Sequence, residues 1–301
     1  MTQTQHSELF ATLLLPIILK NPAERHQPVS AESYNTHLKM SSLTIGVLAL
    51  QGGFHEHVQL VRKAAVYLAT AESSVPSPRP EIVAIEVRTE AELRSCDALI
   101  IPGGESTTIS FIAAQSGLME PLKEFVKVDR KPVWGTCAGA ILLADEANAT
   151  KKGGQELIGG LGVRVHRNHF GRQIESFVAD LDLPFLTQGD GNTKTASSPY
   201  PGVFIRAPIV EEILSTEAGE KKGDKPASSA VEVLAVLPGR KTKAAEGVSQ
   251  STADDSVGDI VAVRQRNIFA TSFHPELTDD VRIHVWWLEQ VMKAAAPTSS
   301  A

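Results

Sequence analysis

Cysteine is scarce in this chain. Only Cys96 and Cys137 occur among 301 residues, far apart in sequence, which excludes a disulfide framework and suits a reducing cytosol. A basic excess is also missing: the formal net charge is −6 and no basic stripe runs along any segment, so no nucleic-acid footprint is expected. No apolar run is long enough to cross a bilayer. The longest near the start, Leu9 to Leu19, is too short and contains Pro16. Glu8 and His6 precede it instead of a basic region, and no clear small-residue cleavage site follows, so it reads as neither membrane anchor nor export signal. Internal repeats are absent. Residues 1–42 are therefore expected to form a poorly ordered extension, with Met40, directly before the first strand, as an alternative start.

What is present is an alternating α/β pattern with ordinary core content, 42% hydrophobic. Leu43 to Leu50 is a continuous apolar run, as for a parallel strand buried on both faces. Gln51-Gly52-Gly53 makes a turn, and Phe54 to Ala69 has helical spacing. Glu81 to Arg88 and Ala98 to Ile101 predict two more strands, with a short helix from Thr89 to Leu93 between them. The third strand ends in Pro102-Gly103-Gly104-Glu105-Ser106, where Ser106 or Thr107 is placed to cap the next helix. Strands alternating with helices predict a doubly wound sheet with ligands at its carboxyl edge. The second half is richer in strands: Gly162 to His166, Ser176 to Leu181, Gly202 to Ala207, Val231 to Leu237, and a hairpin of Asp259–Arg264 with Asn267–Phe273. Leu277 to Met292 reads as a closing amphipathic helix, with one of Trp286 and Trp287 inward and the other at the rim. Three polar stretches, 187–199, 215–230 and 239–258, read as surface insertions, and 294–301 as a tail.

Two segments carry chemistry. Gly135-Thr136-Cys137-Ala138-Gly139 has the spacing of a nucleophile elbow, a tight strand-to-helix turn whose neighbours leave no room for a Cβ. Lys131 to Trp134 reads as the incoming strand and Ala138 to Ala144 as the outgoing helix. That geometry puts Cys137 at the positive helix end, where a thiolate is favoured, and offers the Ala138 N–H to an oxyanion. Ser272-Phe273-His274-Pro275-Glu276 supplies an imidazole and a carboxylate two residues apart. On an extended segment these share a face, so Glu276 can fix the ring while His274 takes the thiol proton. The result is a Cys137-His274-Glu276 triad. Blander readings stand beside it: Glu276 as a charge at the start of the helix that follows, His274 as a satisfied core histidine, Gly103-Gly104 as a plain turn. Cys96 reads as a small core residue. His55 and His57, two apart on a helix, do not face one site, so no metal pair is expected.

The blocks Leu48–Gly53 (LALQGG), Pro102–Thr107 (PGGEST) and Gly135–Gly139 (GTCAG) resemble the class I glutamine amidotransferases. Arg167–Gln173 (RNHFGRQ), Gly202–Pro208 (GVFIRAP) and Ser272–Asp280 (SFHPELTDD) make the chain similar to the glutaminase subunits of pyridoxal 5′-phosphate synthases over residues 43–293, apart from the polar stretches. The resemblance implies a flavodoxin-like three-layer α/β/α domain with a mostly parallel central sheet, and hydrolysis of L-glutamine to glutamate and ammonia. It also implies transfer of that ammonia to a synthase subunit of a hetero-oligomer for vitamin B6 biosynthesis, with no cofactor, metal, nucleic acid or membrane. By resemblance, Gly104 joins Ala138 as oxyanion donor. Gly104, Glu105, Ser106, Arg167, Ile205 and Arg206 bind substrate, and Gln51 senses the partner. Either arginine alone reads equally as a surface ion pair. Two alternatives stay open: a catalytically silent subunit of the same complex, and a stand-alone stress-response protein of the cysteine-elbow superfamily.

Overall fold

Near-continuous burial along four adjacent strands sets the architecture. The computed structural model describes residues 42–70, 79–148, 155–167, 176–187, 198–214, 230–238 and 258–296. In chain order these form β1 (Ser42–Leu48), α1 (Phe54–Thr70), β2 (Glu81–Val87), α2 (Glu90–Arg94), β3 (Ala98–Ile101), α3 (Ser106–Gln115), α4 (Met119–Lys123), β4 (Val133–Thr136) and α5 (Ala138–Leu143). There follow β5 (Ala144–Ala147), β6 (Leu161–His166), β7 (Ser176–Leu181), β8 (Tyr200–Ile205), β9 (Ile209–Ile213), β10 (Glu232–Leu237), β11 (Asp259–Gln265), β12 (Ile268–Thr271) and α6 (Arg282–Ala295).

Successive strand residues point to opposite faces, and both faces here are covered. Ile45, Val47, Ala98, Ile100, Trp134 and Phe269 pack with α1 and α6 on one side. Leu48, Leu99, Ile101, Val133, Ile268 and Ala270 pack with α2 to α5 on the other. The outcome is the three-layer α/β/α arrangement. The sheet runs in the order β2-β1-β3-β4-β12-β11-β9-β6-β5, with β10 also paired to β11. Strands β2, β1, β3, β4 and β12 are mutually parallel, while β9, β10 and β11 join by antiparallel pairings. The ribbon β7-β8 stands apart as a two-stranded antiparallel sheet, and its Leu181, Tyr200 and Phe204 enter the core under α6.

Several elements depart from the pattern read in the sequence. Strands β5 and β9 and helix α4, which runs on into a π-helical turn over Glu124–Val128, were not expected. Helix α5 stops at Leu143, because Ala144 pairs beside Leu161 to begin β5. The cap of α3 is Glu105, not Ser106 or Thr107: its carboxylate accepts the backbone N–H groups of Thr107 and Thr108. The closing helix begins at Arg282, since Pro275–Leu277 winds as a 3-10 turn. Trp286 and Trp287 are both buried, because Phe185 from the short 3-10 turn Pro184–Thr187 covers Trp286 with ring centroids 4.6 Å apart. The proposed extension and most of the three polar stretches (1–41, 188–197, 215–229, 239–257) lie outside the described residues. Among the described residues no helix is long and apolar enough to cross a membrane.

Trp134 links the core to the carboxyl edge. It is fully buried, its ring packs against Phe269, His284 and Trp287 at centroid distances of 5.4, 4.8 and 5.7 Å, and its Nε1–H donates to Thr271 Oγ1 at 3.2 Å. Trp134→Ala should lower the unfolding free energy by about 3–5 kcal/mol, measured by urea unfolding. A loss below about 1 kcal/mol would mean the site collapses around the missing ring.

Candidate active site

Because β1, β3, β4 and β12 are neighbours and parallel, the segments leaving their carboxyl ends sit side by side: Gln51–Gly53, Pro102–Glu105, Cys137 and Ser272–Glu276. Cys137 occupies the turn between β4 and α5 with φ 45° and ψ −99°, a backbone region that costs a non-glycine residue about 1–3 kcal/mol. The surroundings hold it there. Its N–H donates to Thr271 O at 2.8 Å and its carbonyl accepts from Ile141 N–H at 3.2 Å. A Cβ on Gly139 would lie 2.0 Å from Ile101 O, and one on Gly135 would lie 2.6 Å from the Gly139 carbonyl. Both elbow glycines are thus required sterically. Four non-glycine residues among those described have positive φ, namely Arg130, Cys137, Arg206 and Arg266, and two of them are site candidates from the sequence.

His274 and Glu276 meet as expected, although by a different local route. The 3-10 turn after His274, not an extended strand, brings His274 Nδ1 to 2.7 Å from Glu276 Oε1. The other side of the imidazole has Cys137 as its partner. Burial disfavours the charged ring, but Cys137 and the Glu276 carboxylate outweigh it and raise the His274 pKa well above the usual imidazole value. Burial likewise opposes ionisation of Glu276, yet His57 and His274 prevail and hold the carboxyl well below the usual range. Two glycine turns close over this pair. A Cβ on Gly103 would lie 2.4 Å from His274 Cε1, and one on Gly53 would lie 2.9 Å from Glu276 Oε1.

The loop bearing the second oxyanion candidate is gripped by the turn after β1. Gly53 N–H donates to Gly103 O at 3.0 Å, and Gln51 Oε1 accepts from Glu105 N–H at 2.8 Å. Gly104, between these anchors, has no space for a side chain: a Cβ would lie 2.3 Å from Gln51 Oε1. Ala138 is buried as the first residue of α5. Ser106 is buried at the start of α3, and its hydroxyl donates to Gln155 Oε1 at 3.1 Å. Glu105 caps α3. Its slight burial is outweighed by hydrogen bonds from Thr107 and Thr108, which hold its carboxyl down at about 2. Arg167 directly follows β6, with Nη2 3.9 Å from Glu105 Oε1. Arg206 and Ile205 are exposed at the end of β8, whose Val203 carbonyl accepts from His274 N–H at 2.8 Å. The elbow, the dyad, Gly104, Gln51 and Glu105 are thereby brought together, with Arg167 joined to Glu105 and the Arg206 strand joined to His274. Among the described residues no group of three or more His, Cys, Asp or Glu is disposed to hold a metal ion.

Two histidines at this site went unremarked as site residues in the sequence. His57 of α1 and His284 of α6 are fully buried, with His57 Nε2 3.3 Å from Glu276 Oε2. A signal did exist. His57 shares a helical face with Leu60, Val61, Ala64 and Leu68, and His284 shares one with Trp287, Leu288 and Val291. A histidine in phase with such a stripe points inward.

A model of the SNO glutamine amidotransferase family matches residues 47–238 and 241–293. The chain belongs to that family. It is 42% identical over 264 residues to a protein of Arabidopsis thaliana named "Probable pyridoxal 5'-phosphate synthase subunit PDX2", covering 86% of this chain and 90% of that one. It is also 42% identical to the Streptomyces avermitilis "Pyridoxal 5'-phosphate synthase subunit PdxT", covering 86% of this chain and 100% of that one. A solved structure described as a glutamine amidotransferase aligns with a TM-score of 0.56 at 36% identity, covering 82% of this chain and 98% of that one.

For a glutamine amidotransferase of this family, the two thiols differ in a way that chemistry can read. Cys96 is buried among α2 and β3, and burial pushes its thiol up to about 11. Cys137 sits at the elbow beside His274. A chloro-isoxazoline glutamine analogue such as acivicin should modify Cys137 and spare Cys96, as read by peptide mass mapping. Modification chiefly at Cys96 would contradict the placement of the nucleophile.

Proposed function

We propose that this chain is the glutaminase subunit of a pyridoxal 5′-phosphate synthase, hydrolysing L-glutamine to L-glutamate and ammonia in the cytosol and passing the ammonia to a synthase subunit. The observation that carries the reading is the elbow cysteine paired with an imidazole that is itself held at 2.7 Å by a buried carboxylate. The names of the Arabidopsis and Streptomyces relatives support the complex and its pathway.

The geometry supports a two-step acyl transfer through Cys137. The Cys137 thiolate adds to the side-chain amide carbon of glutamine, and the carbonyl electrons move to oxygen. N–H groups of Ala138 and Gly104 receive that oxyanion, each donor of such a hole contributing about 3–4 kcal/mol. The C–N bond then breaks as protonated His274 gives its proton to the departing nitrogen, releasing ammonia and leaving a glutamyl thioester. His274 next takes a proton from water, the hydroxide adds to the thioester, and the C–S bond breaks to free glutamate and the thiolate. Glu276 keeps His274 in one tautomer and steadies its positive form. Arg167 and Arg206 offer guanidinium groups for the α-carboxylate, Ile205 lies beside the latter, and Glu105 with Ser106 completes the wall. Since the Glu105 carboxylate is committed to capping α3, its contribution is negative charge for the α-ammonium group.

Ammonia released without an acceptor is wasted, so activity is expected to depend on the partner. Gln51 and Gly53 hold both sides of Gly104, which gives docking at that turn a short route to the oxyanion donor. His274→Ala should lower glutaminase turnover by about 10²–10⁴-fold, and Glu276→Gln should lower it less, because the amide still bonds the ring. Both are measured with the synthase subunit present. Wild-type turnover should rise strongly when that subunit is added at saturating glutamine. Equal rates with and without it would overturn the coupling.

A further inference from the structure

Behind the Cys137-His274-Glu276 line lies a second set of buried polar groups that those three residues leave unused. His57, Thr136 and His284 are all fully buried. His57 Nδ1 is 3.1 Å from His284 Nε2, His57 Nε2 is 3.2 Å from Thr136 Oγ1, and the same nitrogen is 3.3 Å from Glu276 Oε2. Their protons can be assigned from one orphaned atom. His284 Nδ1 is buried without a hydrogen-bond partner among the described residues. Burial holds the His284 pKa well below the usual value, so the ring is neutral and carries one N–H. A buried N–H without an acceptor is costlier than an empty lone pair. The proton therefore sits on Nε2 and is donated to His57 Nδ1, which places the His57 N–H on Nε2, facing Thr136 and Glu276.

Glu276 Oε2 is the point on which this bears. It is buried, it accepts no well-aligned hydrogen bond, and the donor-capable His57 Nε2 lies 3.3 Å from it. Oε1 is occupied by His274 Nδ1. We propose that His57, oriented by His284, is a positioning residue of the glutaminase reaction: its Nε2–H holds the second oxygen of Glu276, so that the first presents a fixed acceptor to His274 Nδ1 and leaves His274 Nε2 for the Cys137 proton. Without that contact the carboxylate is free to rotate about its terminal bond and release the imidazole. The inference rests on the catalytic reading above, and its test separates the two.

The test is a double-mutant cycle in glutaminase turnover with the synthase subunit present. His57→Leu should lower kcat by about tenfold or more, as for other groups that orient a reacting residue, with KM for glutamine changed less than about twofold. His57→Gln, whose amide nitrogen reaches the Nε2 position, should recover most of the rate. His57→Asn, which can still meet His284 but stops short of Glu276, should not. In a Glu276→Gln background, His57→Leu should cost less than about twofold, because the contact it removes is already gone. Equal losses in both backgrounds, or equal rates for the Gln and Asn variants, would reduce His57 to a packing residue and overturn the proposal. The Gln–Asn comparison decides it even if the leucine variant does not fold. A wild-type enzyme without glutaminase activity would instead overturn the catalytic reading, and this inference with it.

Discussion

The arrangement depends on one buried carboxylate. Moving a carboxylate out of water costs several kcal/mol unless it is paired and hydrogen-bonded, and Glu276 is almost wholly buried. His274 bonds one of its oxygens at 2.7 Å, and His57 Nε2 lies 3.3 Å from the other. They also tie together three distant parts of the chain, since Glu276 follows β12, His57 lies on α1, and His284 behind it lies on α6. A charge that could not be buried alone thus fixes where the helical layer sits relative to the sheet edge. Gly53 and Gly103 bring two backbone turns directly against the same pair, which keeps solvent from weakening it.

Strand order does the remaining positioning. Four parallel strands adjacent in the sheet deliver Gln51, Gly104, Cys137 and His274 to one edge, so residues more than two hundred positions apart meet without any long excursion of the chain. The strain at Cys137 is sustained because Gly135 and Gly139 allow β4, α5 and β3 to approach within backbone contact. Replacing either glycine would push the elbow away from Ile101 or from its own helix.

Much of this was legible in the sequence, for physical reasons. The strands of the parallel half are continuous apolar runs, and the elbow and His-x-Glu segments have spacings that few other structures require. Less visible were elements defined by partners elsewhere: β5 exists because Ala144 pairs with Leu161, and β9 because Ile209–Ile213 pairs with β6. The two tryptophans of α6 could not be assigned to core or rim without knowing that Phe185 packs over one of them. The His-x-Glu pairing was anticipated for the wrong local reason, since a 3-10 turn rather than strand alternation brings the side chains together. His57 was set aside as half of an improbable metal pair, whereas its phase on α1 already pointed it inward.

The central claim is that Cys137 carries a glutamyl group during turnover while His274 and Glu276 manage the protons. It is tested most directly by mixing the complex with isotopically labelled glutamine, quenching in acid during steady state, and mapping labelled peptides by mass spectrometry. The account predicts a glutamyl thioester on the peptide containing Cys137, lost on treatment with hydroxylamine and absent from Cys137→Ala. Sustained ammonia release from the Cys137→Ala protein, or label residing on Cys96, would contradict it.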